Sequence, residues 1–397
     1  MMGHSSIGVA VIGAGMAGRS HIAGYRAATT VEGPPLPEVR LVAVADVNAE
    51  LANATTRRFG YQRAETDWQA VAAADDIDVV SVVVANHLHR EIVEGLLAAG
   101  KHVLCEKPMA PSVADGEAML AAARRAAETS GVKSGVGFTF RRSPAIAAIR
   151  DQVEQGRIGR PMHFNGHYWC DYGCDPNGPM SWRYQGPPGS GALSDIGSHL
   201  LDLAEFACGP IESVSGAVLS TQITERALPL GAVVGHGKAE LSDVHQPVEN
   251  EDLVAVTVAF ESGAIGTLSA SRVAYGHPNA LGFELFAGSG AATFDLERAG
   301  EFGLADGSPS GQTQGYRQVL VGPGHPYLTG GLAMDFPGVG YGQNDLFVWQ
   351  ARAFLDQVAG VDGLPAPASF EEGVHNLRLL AAVVESARTG GAQIKVG

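Results

Sequence analysis

A glycine-rich turn close to the N-terminus constrains the fold of this chain more than any other feature. Ile7–Ile12 is an apolar run with the length of a buried parallel strand, and Gly13, Gly15 and Gly18 follow it at the start of a helical stretch. Gly13 permits a tight turn, Gly15 lets the backbone approach a pyrophosphate, and Gly18 lets the helix pack closely on the strand. A helix N-terminus also favours an anion, through its free N–H groups and its dipole. The pattern therefore predicts a dinucleotide-binding strand–turn–helix unit.

An acidic residue at the end of the second strand indicates which dinucleotide is bound. The second strand, Arg40–Ala45, is apolar after its first residue and is followed by Asp46. The Pro-rich loop at 32–37 explains why this acid lies farther from the glycines than the usual spacing of about 20 residues. A carboxylate here accepts a hydrogen bond from an adenosine ribose 2′-OH and repels a 2′-phosphate. Val47 and Asn48 supply no cation to reverse that preference, so we expect NAD rather than NADP.

Two further strands end in polar residues. Asn86 and His89 follow the apolar run at 79–84, and Glu106 and Lys107 follow the next one. Helices alternate with these strands, which predicts a parallel sheet with right-handed crossovers. Ligands of such sheets bind at the carboxyl ends of the strands. We therefore expect these polar residues at a ligand site; the alternatives are ordinary surface histidines and a surface ion pair before a turn.

The pattern changes after about residue 142. A helix is followed by short alternating strands, among them hairpins around Ser262-Gly263 and around Gly288-Ser289-Gly290, which predict an antiparallel sheet. The expected fold class is α/β: an N-terminal Rossmann domain at 1–142 and a C-terminal α+β domain at 143–397 with a large, mostly antiparallel open sheet. The C-terminal helices have the length to pack back on the first domain.

A Gly/Pro loop in the second domain leads through Asp195 and His199 into a helix that we expect at Leu200–Phe206. Residues four apart are neighbours on one helical face, and a carboxylate beside an imidazole is a proton-transfer unit. A buried histidine bonded to an acid at a helix N-terminus explains the pattern equally well. Asp202 lies nearby, but no His-Glu-x-x-His pattern is present, and Cys170 and Cys174 have no second pair at zinc-site spacing. We expect no metal.

Composition and charge exclude several classes of partner. The net charge of −15 over 397 residues argues against nucleic acid and anionic membranes, and no apolar run approaches the roughly 20 residues of a membrane span. The first strand begins at Ile7, which leaves no room for a signal peptide. Four scattered cysteines are too few for a disulfide framework and indicate free thiols in a reducing cytoplasm.

Taken in order, these pieces resemble the glucose–fructose oxidoreductase / inositol dehydrogenase / rhizopine-catabolism (Gfo/Idh/MocA) family over nearly the whole length. Within it, Trp182-Arg183 and Gly340-Tyr341-Gly342 are most similar to levoglucosan dehydrogenases and related pyranoside 3-dehydrogenases. Four motifs carry the family resemblance: Gly13-x-Gly15-x-x-Gly18-x-x-His21, Asn86-x-x-His89, Gly100-Lys101-His102-Val103-x-x-Glu106-Lys107-Pro108, and Gly191-x-x-x-Asp195-x-Gly197-x-His199-x-x-Asp202.

The resemblance implies a catalytic set of Lys107, Asp195 and His199, and a bond before Pro108 that is often cis in the family. It also implies an open sheet that makes oligomer contacts, so we expect a homodimer or homotetramer. The residues that we expect to hold the cofactor are Gly13, Gly15, Met16, Ala17, Asp46, Ala85, Asn86, His89, Glu106, Lys107, Trp182 and Arg183.

The resulting hypothesis is an NAD-dependent oxidoreductase that moves hydride between the nicotinamide and a secondary hydroxyl of a sugar, anhydrosugar or cyclitol. Lys107 polarises the reacting oxygen, and His199 with Asp195 moves the proton. Candidate substrate contacts are Phe140, Tyr168 and His325. The levoglucosan enzymes tend to have Asn-Tyr where this chain has Thr139-Phe140, so a substrate-facing phenol is missing and the sugar stays open.

Two other classes of function are alternatives. Some relatives retain the nicotinamide cofactor for redox-neutral glycoside modification, and a non-catalytic NAD-binding sensor would share the fold. The intact set of Lys107, Asp195 and His199 argues against the sensor.

Overall fold

A computed structural model describes residues 6–231, 239–307, 314–328, 334 and 336–397. The chain forms two compact units. The first contains residues 1–142 and 327–377, and the second contains residues 143–326 and 378–397. From the sequence we assign all of 143–397 to one domain, whereas residues 327–377 group with the N-terminal unit.

The described ranges contain helices in both units. In chain order they are α1 (Met16–Ala28), α2 (Ala49–Phe59), α3 (Trp68–Ala73), α4 (His89–Ala98), α5 (Val113–Ser130), α6 (Pro144–Glu154), α7 (Ser198–Cys208), α8 (Gln343–Ala359) and α9 (Phe370–Arg388). None of them is both long enough and apolar enough to cross a membrane.

The strands fall into three sheets. In chain order they are β1 (Ser6–Ile12), β2 (Glu38–Ala45), β3 (Arg63–Glu65), β4 (Val79–Val82), β5 (His102–Cys105), β6 (Ser134–Val136), β7 (Pro161–Trp169), β8 (Ile211–Ser220), β9 (Glu225–Pro229), β10 (Leu241–Pro247), β11 (Leu253–Phe260), β12 (Ile265–Ser271), β13 (Ala280–Ala287), β14 (Gly290–Asp295), β15 (Glu301–Asp306), β16 (Arg317–Leu320) and β17 (Ile394–Lys395).

Caps explain where the helices of the first unit begin. The side chain of Asn48 accepts a hydrogen bond from the Leu51 N–H at the start of α2, and Ser112 accepts one from the Asp115 N–H at the start of α5. Such caps satisfy N–H groups that have no partner inside the helix. In the sequence, Pro111-Ser112 is a helix start signal, and α5 begins directly after it.

The first unit contains the predicted Rossmann sheet. Its strand order is β3-β2-β1-β4-β5-β6, and every neighbouring pair is parallel. Ile7, Val9 and Val11 of β1 are completely buried, as expected for a strand covered on both faces. In the same unit α8 lies against α1: a Cβ on Gly24 would lie 2.6 Å from the carbonyl oxygen of Phe347. This packing explains why 327–377 groups with the N-terminal part.

The second unit contains the predicted large sheet. Its order is β16-β15-β14-β13-β7-β12-β11-β8-β17, and all neighbours are antiparallel except β7 and β12. A Cβ on Gly166 of β7 would lie 3.0 Å from a methyl group of Leu200 in α7, so α7 covers that face. On the opposite face the neighbouring side chains of Asn165, Thr267 and Glu284 are exposed.

Two local expectations differ from the structure. From the sequence we expect the last strand of the first domain at 134–139. The strand β6 ends at Val136, because the chain turns after the Gly137 N–H bonds the Cys105 carbonyl, and Thr139–Arg142 forms a 3-10 turn. The predicted helix at 200–206 is longer and continues from a π-helical turn, Leu193–Gly197. The strands β8, β9, β10, β15 and β16 are not among those predicted from the sequence.

Candidate functional site

The glycine turn of the first unit has the geometry of an anion cradle. Gly13 has a positive φ of 103°, and a Cβ there would lie 2.0 Å from the Val83 carbonyl oxygen. A Cβ on Gly18 would lie 1.9 Å from the Gly13 carbonyl oxygen. A Cβ on Gly15 would meet no described atom within 4 Å. The turn therefore needs glycine at two positions for its own packing, and leaves space for a ligand beside the third.

The first helical residues lie next to that space. Gly15 is the N-cap residue of α1 and provides no side-chain cap, and the side chain of Met16 is 55% exposed. Ala17 follows in the first turn of the helix. Backbone N–H groups at such a helix start are suited to phosphate oxygens.

Asp46 is held beside the same turn. Its Oδ2 accepts a hydrogen bond from the Ala14 N–H at 2.8 Å, and its Oδ1 accepts one from the Asn48 N–H at 2.9 Å. The next side chain, Val47, is 92% exposed. The carboxylate is thus fixed at the carboxyl end of β2, where it can accept from a ribose hydroxyl and repel a phosphate.

His89 joins two strand ends of this unit. Its Nε2 lies 3.0 Å from the Val84 carbonyl oxygen, and its Nδ1 lies 3.2 Å from the Met109 carbonyl oxygen. Burial lowers the pKa of His89 and outweighs these backbone contacts. Nε2 therefore contacts the backbone next to Ala85 and Asn86, the residues that begin the short 3-10 turn after β4, while Nδ1 contacts the backbone that follows the Lys107-Pro108 bond.

Glu106 belongs to a buried hydrogen-bonded chain. Its Oε1 lies 2.8 Å from Nε2 of His21, whose Nδ1 is 3.2 Å from Oγ of Ser81, and that hydroxyl is 2.9 Å from the hydroxyl of Tyr25. The other carboxylate oxygen accepts from the Lys107 N–H. Burial alone would raise the pKa of Glu106, but the hydrogen bond and charge of His21 and the charge of Lys107 hold it below its ordinary value. A charged carboxylate therefore lies directly before Lys107.

Lys107 itself is partly buried at the end of β5. The peptide bond between Lys107 and Pro108 is cis, in agreement with the family resemblance.

Asp195 and His199 lie in the second unit, on one continuous helical segment. Asp195 is in the π-helical turn at 193–197, and His199 is in the first turn of α7. Single π-helical turns are uncommon and occur frequently at functional sites. Oδ2 of Asp195 accepts a hydrogen bond from the Tyr172 hydroxyl at 2.7 Å, and the ring of His199 lies 6.1 Å from the ring of Tyr168. Both side chains are partly buried.

Tyr172 is a site residue that the sequence motifs do not indicate. It lies between Cys170 and Cys174, a segment that is noticeable in the sequence only for its cysteines. Both cysteines are buried free thiols. Across the described ranges, no group of three or more His, Cys, Asp or Glu side chains is arranged to hold a metal ion.

Trp182 and Arg183 form part of a short 3-10 turn in the second unit. The guanidinium of Arg183 stacks on the indole of Trp182 at 4.4 Å, and the indole is 48% exposed. The carbonyl oxygen of Arg183 accepts from Asn250 and from Arg272. Their contact with the cofactor stays a prediction.

The three candidate substrate residues are divided between the units. Phe140 is buried in the first unit. In the second unit the Tyr168 hydroxyl donates to Oδ1 of Asn279 at 2.9 Å, and the ring of His325 meets the ring of Phe302 edge-on at 5.9 Å. Their role toward a substrate is untested by these contacts.

Both parts of the chain match known families. Residues 7–134 match the oxidoreductase family with an NAD-binding Rossmann fold, and residues 146–293 match the GFO/IDH/MocA C-terminal domain.

Individual relatives are similar over most of the chain. A levoglucosan dehydrogenase of Pseudarthrobacter phenanthrenivorans is 36% identical over 385 residues, which is 96% of each chain. A solved structure of levoglucosan dehydrogenase in complex with NADH and levoglucosan is 34% identical, with a TM-score of 0.87 over 98% of this chain and 99% of that one. A scyllo-inositol 2-dehydrogenase (NAD(+)) of Bacillus subtilis is 28% identical over 61% of this chain and 63% of its own.

Proposed function

This chain belongs to the Gfo/Idh/MocA oxidoreductase family and is an NAD-dependent dehydrogenase of the sugar and cyclitol type, and on that premise we propose that it oxidises a secondary hydroxyl of a pyranose-like sugar or anhydrosugar. The observation that carries the proposal is Asp195, fixed by the Tyr172 hydroxyl and followed one helical turn later by His199. A carboxylate and an imidazole so arranged are suited to moving a hydroxyl proton.

The first unit has the features that an NAD site requires. The space beside Gly15, the uncapped start of α1 and the fixed carboxylate of Asp46 suit a pyrophosphate and an adenosine ribose without a 2′-phosphate. We assign Asn86, Glu106 and Lys107, at the ends of β4 and β5, to the nicotinamide end. When bound, NAD supplies the acceptor for the substrate hydride.

Lys107 stabilises the reacting oxygen. In our proposal its ammonium donates a hydrogen bond to the substrate hydroxyl oxygen, which gains negative charge as the proton leaves. The buried, ionised carboxylate of Glu106 lies directly before it in the chain, and its Oε2 accepts from the Lys107 N–H.

His199 accepts the hydroxyl proton as general base. Asp195 orients the imidazole and stabilises its charged form, or relays the proton onward. In the opposite direction the same pair returns the proton to the oxygen of a ketone.

Support for the substrate class comes from the similarity to a levoglucosan dehydrogenase over 96% of the chain. Levoglucosan and related pyranosides are therefore the first substrates to test. Phe140 in place of a tyrosine removes a hydroxyl that could bind a sugar hydroxyl, so we expect a different preferred sugar from that of those enzymes.

A substrate screen tests the proposal. Purified protein is given NAD or NADP with a panel of anhydrosugars, pyranosides and inositols, while reduced cofactor is followed by absorbance and products by mass spectrometry. We expect NADH formation with at least one pyranose-like compound, and a ketone product two mass units lighter than the substrate. Glycoside cleavage without net NADH would instead identify a redox-neutral enzyme. NAD binding with no conversion of any compound would favour a sensor.

We also infer that copies of the chain associate into a homodimer or homotetramer through the exposed face of the nine-stranded sheet. Support comes from the exposure of that face, where the adjoining side chains of Asn165 and Thr267 are accessible to a second copy of the chain. Analytical ultracentrifugation of Asn165→Arg, compared with Glu261→Arg at a hairpin turn, tests this. We expect only the first to dissociate, and a monomeric wild-type protein would contradict the inference.

We place the enzyme in the cytoplasm, because Cys105, Cys170, Cys174 and Cys208 are all free and buried thiols. Fractionation of cells that produce the tagged protein tests this placement.

A further inference from the structure

The turn that carries Tyr172 is fixed by two buried arginines. The Gly173 N–H donates to the Arg272 carbonyl oxygen at 2.8 Å, and Nη2 of Arg226 donates to the Gly173 carbonyl oxygen at 2.6 Å. Arg226 and Arg272 are each 1% exposed, and both guanidinium groups stack on the ring of Tyr184. The backbone next to Tyr172 is therefore fixed through both the N–H and the carbonyl group of Gly173.

The turn that carries Asp195 is fixed just as firmly. Glu251 is 2% exposed, and its carboxylate accepts from the Leu193 N–H at 2.9 Å and from the Gly189 N–H at 2.7 Å. Its carbonyl oxygen accepts from the Ala192 N–H at 3.0 Å. These bonds hold the start of the π-helical turn.

Both turns are anchored to the same short stretch. Nε of Arg272 lies 2.8 Å from Oδ1 of Asp252, and Nη2 of Arg272 donates to Oδ1 of Asn250 at 2.8 Å. Asn250, Glu251 and Asp252 are consecutive residues, and each is at most 2% exposed. The hydroxyl of Tyr172 and the carboxylate of Asp195 are therefore held at hydrogen-bond distance by one common framework.

We propose that Tyr172 is a positioning residue that keeps Asp195 ionised and in a single orientation while His199 accepts the substrate proton. This inference rests on the proposed function of Asp195 and His199. A hydrogen bond donated to a carboxylate favours its ionised form, and a donor that is itself fixed in place limits rotation of the carboxylate.

The phenol is suited to act only as a donor. Burial raises the pKa of Tyr172 well above its ordinary value, and the negative charge of Asp195 with the hydrogen bond raises it further; Cys170 adds to the shift and Arg272 opposes it. Tyr172 therefore keeps its proton across the neutral range and does not itself exchange it with the substrate.

The test is a double-mutant cycle on sugar oxidation with Tyr172→Phe, Asp195→Asn and the double variant. A hydrogen bond to a charged group predicts a loss of about 10- to 100-fold in kcat for Tyr172→Phe alone. In the Asp195→Asn background we expect the same change to cost less than about 3-fold, because the ionised acceptor is gone. The acidic limb of kcat/KM should also move to higher pH in Tyr172→Phe, while the KM for NAD is unchanged.

Tyr275→Phe is the matched control. Tyr275 donates to the carbonyl oxygen of Cys174, in the same turn as Tyr172, without contacting Asp195. We expect this variant to keep the wild-type kcat and pH profile. Tyr172→3-fluorotyrosine preserves the shape and strengthens the donor, so it should move the acidic limb to lower pH even where Tyr172→Phe folds poorly.

An equal loss from Tyr172→Phe in both backgrounds, or an acidic limb unchanged in both Tyr172 variants, overturns the proposal and leaves the role of Asp195 intact. Where Asp195→Asn is too slow to assay, the pH shifts of the acidic limb of kcat/KM in the two Tyr172 variants test the proposal. Asp195→Asn with wild-type turnover overturns the proposed function itself, and with it the role of Tyr172.

Discussion

Nε2 of His21 lies 2.8 Å from Oε1 of Glu106 in the interior of the first unit, joining the first helix to the strand end that carries Lys107. The two residues are 85 positions apart in the chain, and the side chain of His21 is 2% exposed. The contact links the glycine-turn motif to the Glu-Lys-Pro motif through a buried hydrogen bond.

The first prediction concerns acid stability. The pKa of Glu106 is lower in the folded protein than in the unfolded chain, so its contribution to stability is fully present above about pH 5 and is lost as the pH falls through the folded-state value. Glu106→Gln should reduce the free energy of unfolding at pH 7 by about 2 kcal/mol. Urea denaturation from pH 3 to pH 8 measures the free energy of unfolding of the wild type and of Glu106→Gln at each pH. The difference between wild type and variant should shrink toward pH 3, and a constant difference would contradict the pKa argument.

The second prediction concerns cofactor choice. Asp46→Ser removes the carboxylate that repels a 2′-phosphate, and Val47→Arg adds a cation at a position that is 92% exposed. We expect the double variant to lose about 10- to 100-fold in kcat/KM with NAD and to gain with NADP. Steady-state kinetics with both cofactors measure the change. Asn53→Arg, on the exposed surface of α2, is the control, and an unchanged preference in the double variant would refute the role of Asp46.

The third prediction concerns Lys107. Loss of a donor to a developing oxyanion typically lowers kcat by about 100- to 1000-fold, so Lys107→Ala should be nearly inactive. NAD binding, followed by quenching of tryptophan fluorescence, should survive. Lys133→Ala removes an exposed lysine of the same unit and should behave as wild type. Near-normal turnover in Lys107→Ala would rule out the assignment.

The fourth prediction concerns a buried ion pair on α8. Nε of Arg352 donates to Oδ1 of Asp356 at 2.7 Å. The guanidinium also donates to the carbonyl oxygens of Val31, just before the Pro-rich loop, and Pro34, within it. Arg352→Met leaves a buried carboxylate without its cation and should lower the free energy of unfolding by about 3–5 kcal/mol. Adding Asp356→Asn should restore part of that loss. Chemical denaturation of Arg352→Met, Asp356→Asn and the double variant measures the effect, and purely additive losses would show that the two residues do not act as a pair.

The parts of the fold that follow from local pattern are predictable from the sequence. The glycine turn, Asp46 at the end of β2, and the strand before Glu106 are each determined by a few neighbouring residues. Their apolar runs, glycines and prolines favour one local conformation.

The contacts that shape the site depend on distant residues instead. Tyr172 and Asp195 are 23 positions apart, and Leu193 and Glu251 are 58 apart. No periodicity in either segment records such a pairing. The π-helical turn at 193–197 begins at Leu193, whose N–H bonds the distant carboxylate of Glu251, and a regular helix is the natural expectation from the sequence alone.

The position of Glu251 in the chain has a consequence for the order of synthesis. Because a protein is made from its N-terminus, Leu193 and Gly189 have no Glu251 to bind until 58 and 62 more residues have been added. Arg272, which holds the turn of Tyr172, is made later still. The part of the second unit that carries Tyr172 and Asp195 therefore acquires its shape only after β11 and β12 exist, so a truncated chain that ends before residue 272 should lack this arrangement even if its Rossmann unit is folded.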